Sequence, residues 1–252
     1  MNHFELEALI STQLDCSRFK DYAPNGLQVE GRPDVYQIVA GVTASQALLD
    51  VAVASQADAV LVHHGYFWGN EAPSIRGIKK RRLQTLLAHD INLYAYHLPL
   101  DAHPVLGNNA QLAQVLGIEV TGPLDPQDPT CLILTGELSS PLSGSALAQR
   151  IESRLGRAVL HSGDNGVEQI RRLAWCTGGG QGYISRAAEA GVDAFITGEV
   201  SEQTIHIARE MGIHFFAAGH HATERYGIQA LGAWLSEQHG LDVRFIDIPN
   251  PA

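Results

Sequence analysis

Apolar stretches of membrane-spanning length are missing from this chain, and so is a basic leader. The amino terminus reads Met-Asn-His-Phe-Glu-Leu-Glu, and no uncharged apolar run reaches the roughly 20 residues that cross a bilayer. A soluble, unprocessed, cytoplasmic protein without a membrane partner is therefore expected. Cysteine is scarce as well: Cys16, Cys131 and Cys176 are far apart and make no Cys-x-x-Cys spacing. That excludes a disulfide framework and predicts reduced, structural thiols. Positive charge is in short supply, with 17 Lys and Arg against 27 Asp and Glu and a formal net charge of −10. Such a balance argues against general electrostatic binding to nucleic acid or to an anionic membrane. The basic run Lys79-Lys80-Arg81-Arg82 reads as the solvated first turn of a helix leading into Leu83, Leu86 and Leu87.

What the chain does have is a near-continuous alternation of strand-like apolar runs with helix-period segments, the pattern of an α/β architecture. The 252 residues fit one large domain or two modest ones. Ile38–Val42 reads as a strand, a helix begins at Thr43 or Ser45 and runs through Leu48, Leu49 and Val53, and Ala59–Val62 is the next strand. Leu173–Cys176, the glycines 178–180, a helix through Ile184, Ala187 and Ala188, and strand Ala194–Thr197 repeat that order.

An offset of 135 residues aligns Gln46 with Gln181 and Asp58-Ala59 with Asp193-Ala194, and drops His63 and His64 onto Gly198 and Glu199. After extra loop residues around Trp68 to Gly77, an offset of 123 puts His97 on His220 and Asp101 on Glu224. The reading is an internal duplication, giving a first α/β domain over 1–124 and a second over 125–252, with terminal elements free to cross over. The break Asp125-Pro126-Gln127-Asp128-Pro129 separates them. Beyond it, Cys131–Leu134 reads as a strand, Ser143–Leu155 as a helix, Ala222–Leu235 as a helix and Val243–Ile248 as a strand.

The candidate chemistry lies at strand ends. His63-His64 closes the run Val60-Leu61-Val62, where open α/β sheets place their ligands, and Gly65 lets the chain turn there. His97 ends a strand, with Asp101 four residues later; Pro99 predicts that this spacing is a loop rather than a helical turn. His220 and Glu224 have the same spacing where a helix is expected to start, which would put both on one face. Imidazole and carboxylate without cysteine suit one or two borderline-hard divalent ions. Two neighbouring ligands on a turning chain favour a dinuclear site, with Asp101 and Glu224 as bridging carboxylates. The chemistry suggested is hydrolytic. Loop Thr177–Gly182, with Gly178, Gly179 and Gly180, could cradle phosphate or serve only a tight turn, and segment Asp21–Gln28 reads as a turn.

Asn25-Gly26-Leu27-Gln28-Val29, His63-His64-Gly65, His97 to Asp101, the Thr-Gly-Gly-Gly loop and Gly219-His220-His221-Ala222-Thr223-Glu224 together resemble the Nif-three-like family. Its members are also known as type two homologues of GTP cyclohydrolase I. The resemblance runs over nearly the whole chain in its short form, without an insert between the halves. It implies two related three-layer α/β domains, a dinuclear metal site in the cleft between them, and ring-shaped homohexamers. Carried over, the ligands fall on His63, His64, Asp101, His220 and Glu224, with His97 lining the site. Asn25 and Gln28 become substrate-binding candidates beside Gly178, Gly179 and Gly180.

The cofactors implied are two divalent ions per chain, with iron, manganese or zinc as the options. The substrate implied is a nucleotide or related small molecule, and the cyclohydrolase name implies opening of the purine imidazole ring of GTP with release of formate. The resemblance departs at Gly65, where many members carry proline. The competing reading is a non-catalytic, metal-binding assembly or interaction protein.

Overall fold

A computed structural model describes residues 1–252. It divides into two compact units, Met1–Leu106 with Gly227–Pro249 and Gly107–Tyr226 with Asn250–Ala252. The division expected near residue 124 falls inside the second unit, because β5 (Ile118–Pro123) pairs antiparallel with β6 (Leu134–Leu142). The proline-rich break is the connection inside that strand pair. The carboxyl-terminal helix and strand belong to the first unit.

The first unit is built on a five-stranded sheet in the order β1-β4-β3-β2-β11. Its strands are β1 (Gly26–Val29), β2 (Gln37–Thr43), β3 (Ala59–His64), β4 (Asn92–Ala95) and β11 (Asp242–Phe245). β2, β3 and β4 run parallel through helical crossovers, β11 joins parallel beside β2, and β1 joins antiparallel beside β4. Strands covered on both faces need apolar side chains on both, and β3 and β4 are buried almost throughout.

One face packs Leu48, Leu49 and Ala52 of α2 (Gln46–Ala54) and Leu83 and Leu86 of α3 (Gly77–Ala88) onto Val39, Val60, Val62 and Leu93. The other packs Leu6, Ile10 and Leu14 from and beside α1 (His3–Gln13), with Ile228, Leu231 and Leu235 of α10 (Arg225–His239), onto Ile38, Ala40, Leu61 and Tyr94. The basic run lies in α3 with Lys80 and Arg81 exposed, as its charge pattern predicts.

The second unit has a six-stranded sheet in the order β5-β6-β8-β9-β10-β7, completed by β7 (Leu160–Ser162), β8 (Ile170–Cys176), β9 (Ala194–Thr197) and β10 (His214–Ala217). Again β8, β9 and β10 run parallel, and β7 closes the far edge antiparallel. Helices α7 (Ile184–Glu189) and α8 (Glu202–Met211) cover one face. Helices α5 (Asn108–Leu116) and α6 (Gly144–Leu155) cover the other, around the fully buried Trp175.

The repeat is longer than its sequence trace. The order α1-β1-β2-α2-β3-α3-β4 is matched by α6-β7-β8-α7-β9-α8-β10. A shared fixing device survives in both copies. Asp58 Oδ2 accepts from the amides of Tyr36 and Gln37, each at 2.9 Å, and Asp193 Oδ2 accepts from those of Arg171 and Arg172, each at 2.8 Å. Each carboxylate, just before the second parallel strand, satisfies two amides at the start of the first.

Candidate metal centre

In the first unit, the carboxyl ends of β3 and β4 carry the site residues. His63 and His64 are the last residues of β3, with ring centroids 4.5 Å apart, so both imidazoles stay near one another without leaving the strand. His63 is fully buried, and its Nδ1 donates to the Tyr96 carbonyl at 2.9 Å, which makes Nε2 the lone-pair nitrogen. That Nε2 lies 3.5 Å from Asp101 Oδ1. His64 holds Thr43 Oγ1 at 3.2 Å through Nδ1.

Asp101 sits in α4 (Leu98–Ala102), whose first turn contains Pro99. This corrects the loop expected from that proline. At the second helical position the missing N–H is one that the first turn would leave unsatisfied, so the ring is tolerated and the i, i+4 spacing is helical. The Asp101 amide bonds the His97 carbonyl at 3.1 Å.

His97 is held by a carboxylate from the segment whose sequence reads as a turn. Asp21 Oδ1 meets His97 Nδ1 at 2.8 Å, and Oδ2 accepts from the Leu98 amide at 2.9 Å and from Asn25 Nδ2 at 3.0 Å. Burial works against the Asp21 charge, but the hydrogen bonds and charge of His97, with Asn25 and the Leu98 amide, outweigh it and hold the carboxyl at about 2. His63, His64 and His97 each offer a ring nitrogen, all within 4.8 Å of one another.

Asn25 and Gln28 have positions that explain them structurally. Asn25 Oδ1 accepts from the His97 amide at 2.7 Å. Gln28 Oε1 accepts from the Tyr66 amide at 2.7 Å and lies where a Cβ at position 65 would be, so Gly65 lets that bond form. Both residues brace the loops that present the histidines.

In the second unit, the matching strand ends carry the other half of the set. α9 (His220–Thr223) begins directly after β10 and Gly219, and Glu224 follows it with its carboxyl almost wholly buried. His220 lies between two carboxylates, with Nδ1 2.7 Å from Glu199 Oε1 and Nε2 3.1 Å from Glu224 Oε2. Burial opposes its charge, yet Glu224 and then Glu199 prevail and raise the imidazole to about 9. A carboxylate behind a histidine fixes ring and tautomer for a ligand on the other nitrogen. His97 with Asp21 and His220 with Glu199 repeat that device in the two copies.

The glycine loop serves the same cluster. The Gly178 amide donates to Thr223 Oγ1 at 3.0 Å, and the Gly178 carbonyl accepts from Thr197 Oγ1 at 3.2 Å. Its φ is +64°, and a Cβ there would overlap Glu224 Oε1. Gly180 gives way likewise to Cys176 and Thr197, while Gly179 has more room. His221 and His103 make backbone contacts, His221 N to Ala252 O and His103 Nδ1 to the amides of Val105 and Leu106.

The donor set fits a divalent ion: imidazole nitrogens fixed by second partners, buried carboxylates and no thiolate. The buried His, Asp and Glu groups can hold a metal ion. The profile of Duf34/NIF3 (NGG1p interacting factor 3) matches residues 1–251. The chain belongs to the DUF34/NIF3 family. Relatives named "GTP cyclohydrolase 1 type 2 homolog" from Yersinia pestis and Escherichia coli K12 are 67% and 65% identical to it over the full length of both chains. Among solved structures it resembles protein ybgI, of unknown function, with a TM-score of 0.97 at 65% identity and complete coverage of both chains. TTHA1606 from Thermus thermophilus follows at 0.91 and 35%, also with complete coverage. No helix in this DUF34/NIF3 member is long and apolar enough to cross a membrane.

Proposed function

We propose that this protein binds two divalent ions per chain and uses them as a metal-dependent hydrolase on a nucleotide or related small molecule. In this reading His63, His64, Asp101, His220 and Glu224 would hold the ions, with Asp101 and Glu224 as the carboxylates that would be shared, and His97 lines the site. One observation carries the reading: each of the two related sheets sets a buried carboxylate beside an imidazole Nε2, the imidazole coming from the end of β3 in the first unit and from just after β10 in the second. The distances are 3.5 Å for Asp101 with His63 and 3.1 Å for Glu224 with His220.

Bound there, divalent ions would supply Lewis acidity and lower the pKa of water they hold. The protein's own groups do the positioning. The Tyr96 carbonyl holds the His63 tautomer, Asp21 holds His97, and Glu199 holds His220. Because His220 carries a proton up to about pH 9 in the absence of metal, ion uptake at neutral pH releases it. The relatives' name makes GTP the first nucleotide to try, and the family resemblance makes a ring-shaped homohexamer the expected assembly. Iron, manganese and zinc all suit this donor set.

A second reading, a non-catalytic metal-binding assembly protein, is favoured by the glycine loop. The Gly178 amide is committed to Thr223, so packing against Glu224 explains this glycine without a phosphate. The deciding experiment is turnover of a nucleotide panel by protein reconstituted with each metal, beside Glu224→Ala. The hydrolase reading expects metal-dependent turnover that the variant loses while its circular dichroism is unchanged. Absence of turnover with every metal, together with loss of the oligomer on metal removal, would replace it by the assembly reading.

A further inference from the structure

The connection between β3 and α3 is an addition that the fold does not require. Its counterpart between β9 and α8 spans only Gly198, Glu199, Val200 and Ser201, with no aromatic residue, whereas the first unit's loop carries Tyr66, Phe67 and Trp68. Tyr66 is buried in the core, but Trp68 and Tyr22 belong to none of the apolar clusters. Tyr22 is 59% exposed and Trp68 is half-buried.

Both rings stand against His97. The centroid of each lies 5.0 Å from the imidazole, at interplanar angles of 74° for Tyr22 and 87° for Trp68. They lie 5.8 Å from one another with planes 35° apart, and the Trp68 ring is 5.9 Å from His64.

The loop is held in this form against local strain. Phe67 has a φ of +65°, a left-handed conformation that crowds the Cβ of a bulky residue against its own backbone. The strain is fixed from both sides. Before it, the Tyr66 hydroxyl donates to the Ala44 carbonyl at 2.8 Å and the Tyr66 amide donates to Gln28. After it, the Gly69 amide donates to the Tyr22 carbonyl at 2.7 Å, which joins the two ring-bearing loops. Lys79 sits 4.8 Å from the Phe67 ring centroid and 2.9 Å from Glu71 Oε2, anchoring the loop to α3. A strained residue one position before Trp68, beside a chemical site, motivates a functional hypothesis for this loop.

We propose that Tyr22 and Trp68 form a stacking wall for a planar heteroaromatic ring, the base of a nucleotide, and place its polar edge at His97. Indole and phenol rings recognise flat π systems by stacking, and an imidazole 5.0 Å from both can offer a hydrogen bond to a ring nitrogen or oxygen. The wall rests on the hydrolase reading only for the purpose of the bound ring, since its existence can be measured without turnover.

The test is a fluorescence titration of metal-reconstituted full-length protein with GTP, ATP, CTP and UTP, using tripolyphosphate and ribose 5-phosphate as ring-free controls. Of the other two tryptophans, Trp175 is fully buried and Trp234 is half-buried on α10, so the part of the quenching that Trp68→Leu removes reports on Trp68. Saturable quenching by at least one nucleotide and not by the controls is expected. Affinity by calorimetry should fall about 10- to 100-fold in Trp68→Leu and in Tyr22→Leu and recover largely in Trp68→Phe, with metal content per chain unchanged. Absence of quenching by all four nucleotides, or equal affinity in Trp68→Leu with metal intact, would overturn the proposal. Ring binding that depends on Trp68 without turnover would leave the wall standing and remove the hydrolase reading instead.

Discussion

Gly178→Ala separates the two explanations of the glycine loop. Position 178 has a φ of +64°, where an alanine costs about 1 kcal/mol relative to glycine. In a chain of this size that lowers the melting temperature by about 2–4 °C, so the protein should remain folded. The local effect is larger. The new Cβ would overlap Glu224 Oε1, reach 2.8 Å from its Cδ and come 3.1 Å from His220 Nε2. Restoring ordinary contact moves the carboxylate by about 1.5 Å, while a metal–ligand bond tolerates about 0.2 Å. Metal affinity should therefore fall at least about tenfold, the scale on which ligand-orienting groups act. Competition against a chromophoric chelator measures the affinity, and calorimetry measures the stability. Unchanged metal affinity in a folded variant that has lost nucleotide binding would refute this reasoning and return the loop to phosphate.

Further outcomes are expected elsewhere. Asp21 ionises in the folded state at about 2, below the ordinary aspartate value of 3.8, so its contribution is present above about pH 4 and is lost as the pH falls through about 2. Asp21→Asn should cost roughly 2 kcal/mol at pH 7 in urea unfolding, with the gap to wild type narrowing toward about pH 2.5; a gap independent of pH would contradict the assignment. Burial, helped by Asp15 and Asp21 against a hydrogen bond from Ser11, pushes the Cys16 thiol up to about 11. At about pH 8 its alkylation, followed by mass spectrometry, should be roughly a hundredfold slower than that of an ordinary cysteine; reaction at the ordinary rate would show that the thiol is not so perturbed. Asp193→Ala strips two amides of one acceptor and should destabilise the second unit by about 2 kcal/mol, as Asp58→Ala should the first. A loss below about 0.5 kcal/mol for either would show that solvent replaces the carboxylate.

Much of this was legible in the sequence. The parallel strands are so thoroughly apolar that β3, β9 and β10 announce themselves, and Ser45 and Ser143 cap their helices where hydroxyls are expected. The repeat was traceable because Asp58 and Asp193 do the same work on the backbone in both copies. Its earlier part, α1-β1 against α6-β7, was hidden because short edge strands such as Leu160–Ser162 carry little apolar pattern.

Pro99 misled because a proline stops a helix interior but suits a first turn. Asp21 and Glu199 were missed as histidine partners for different reasons. Asp21 lies 76 residues from His97, a pairing made only by the fold. Glu199 already stood at the position matching His64 under the 135-residue offset, and that match was the available signal. The Asp125–Pro129 break was a true interruption assigned to the wrong level, since a strand connection and a domain linker share the same composition.

The central proposal is that the chain holds two divalent ions through His63, His64, Asp101, His220 and Glu224. The measurement that tests it most directly is metal content per chain by elemental analysis, on protein purified without tag or chelator, for wild type, Asp101→Ala and Glu224→Ala. The account predicts close to two ions in the wild type and clearly fewer in each variant, with far-ultraviolet circular dichroism unchanged. A wild type that carries no metal and takes none up on reconstitution would contradict it.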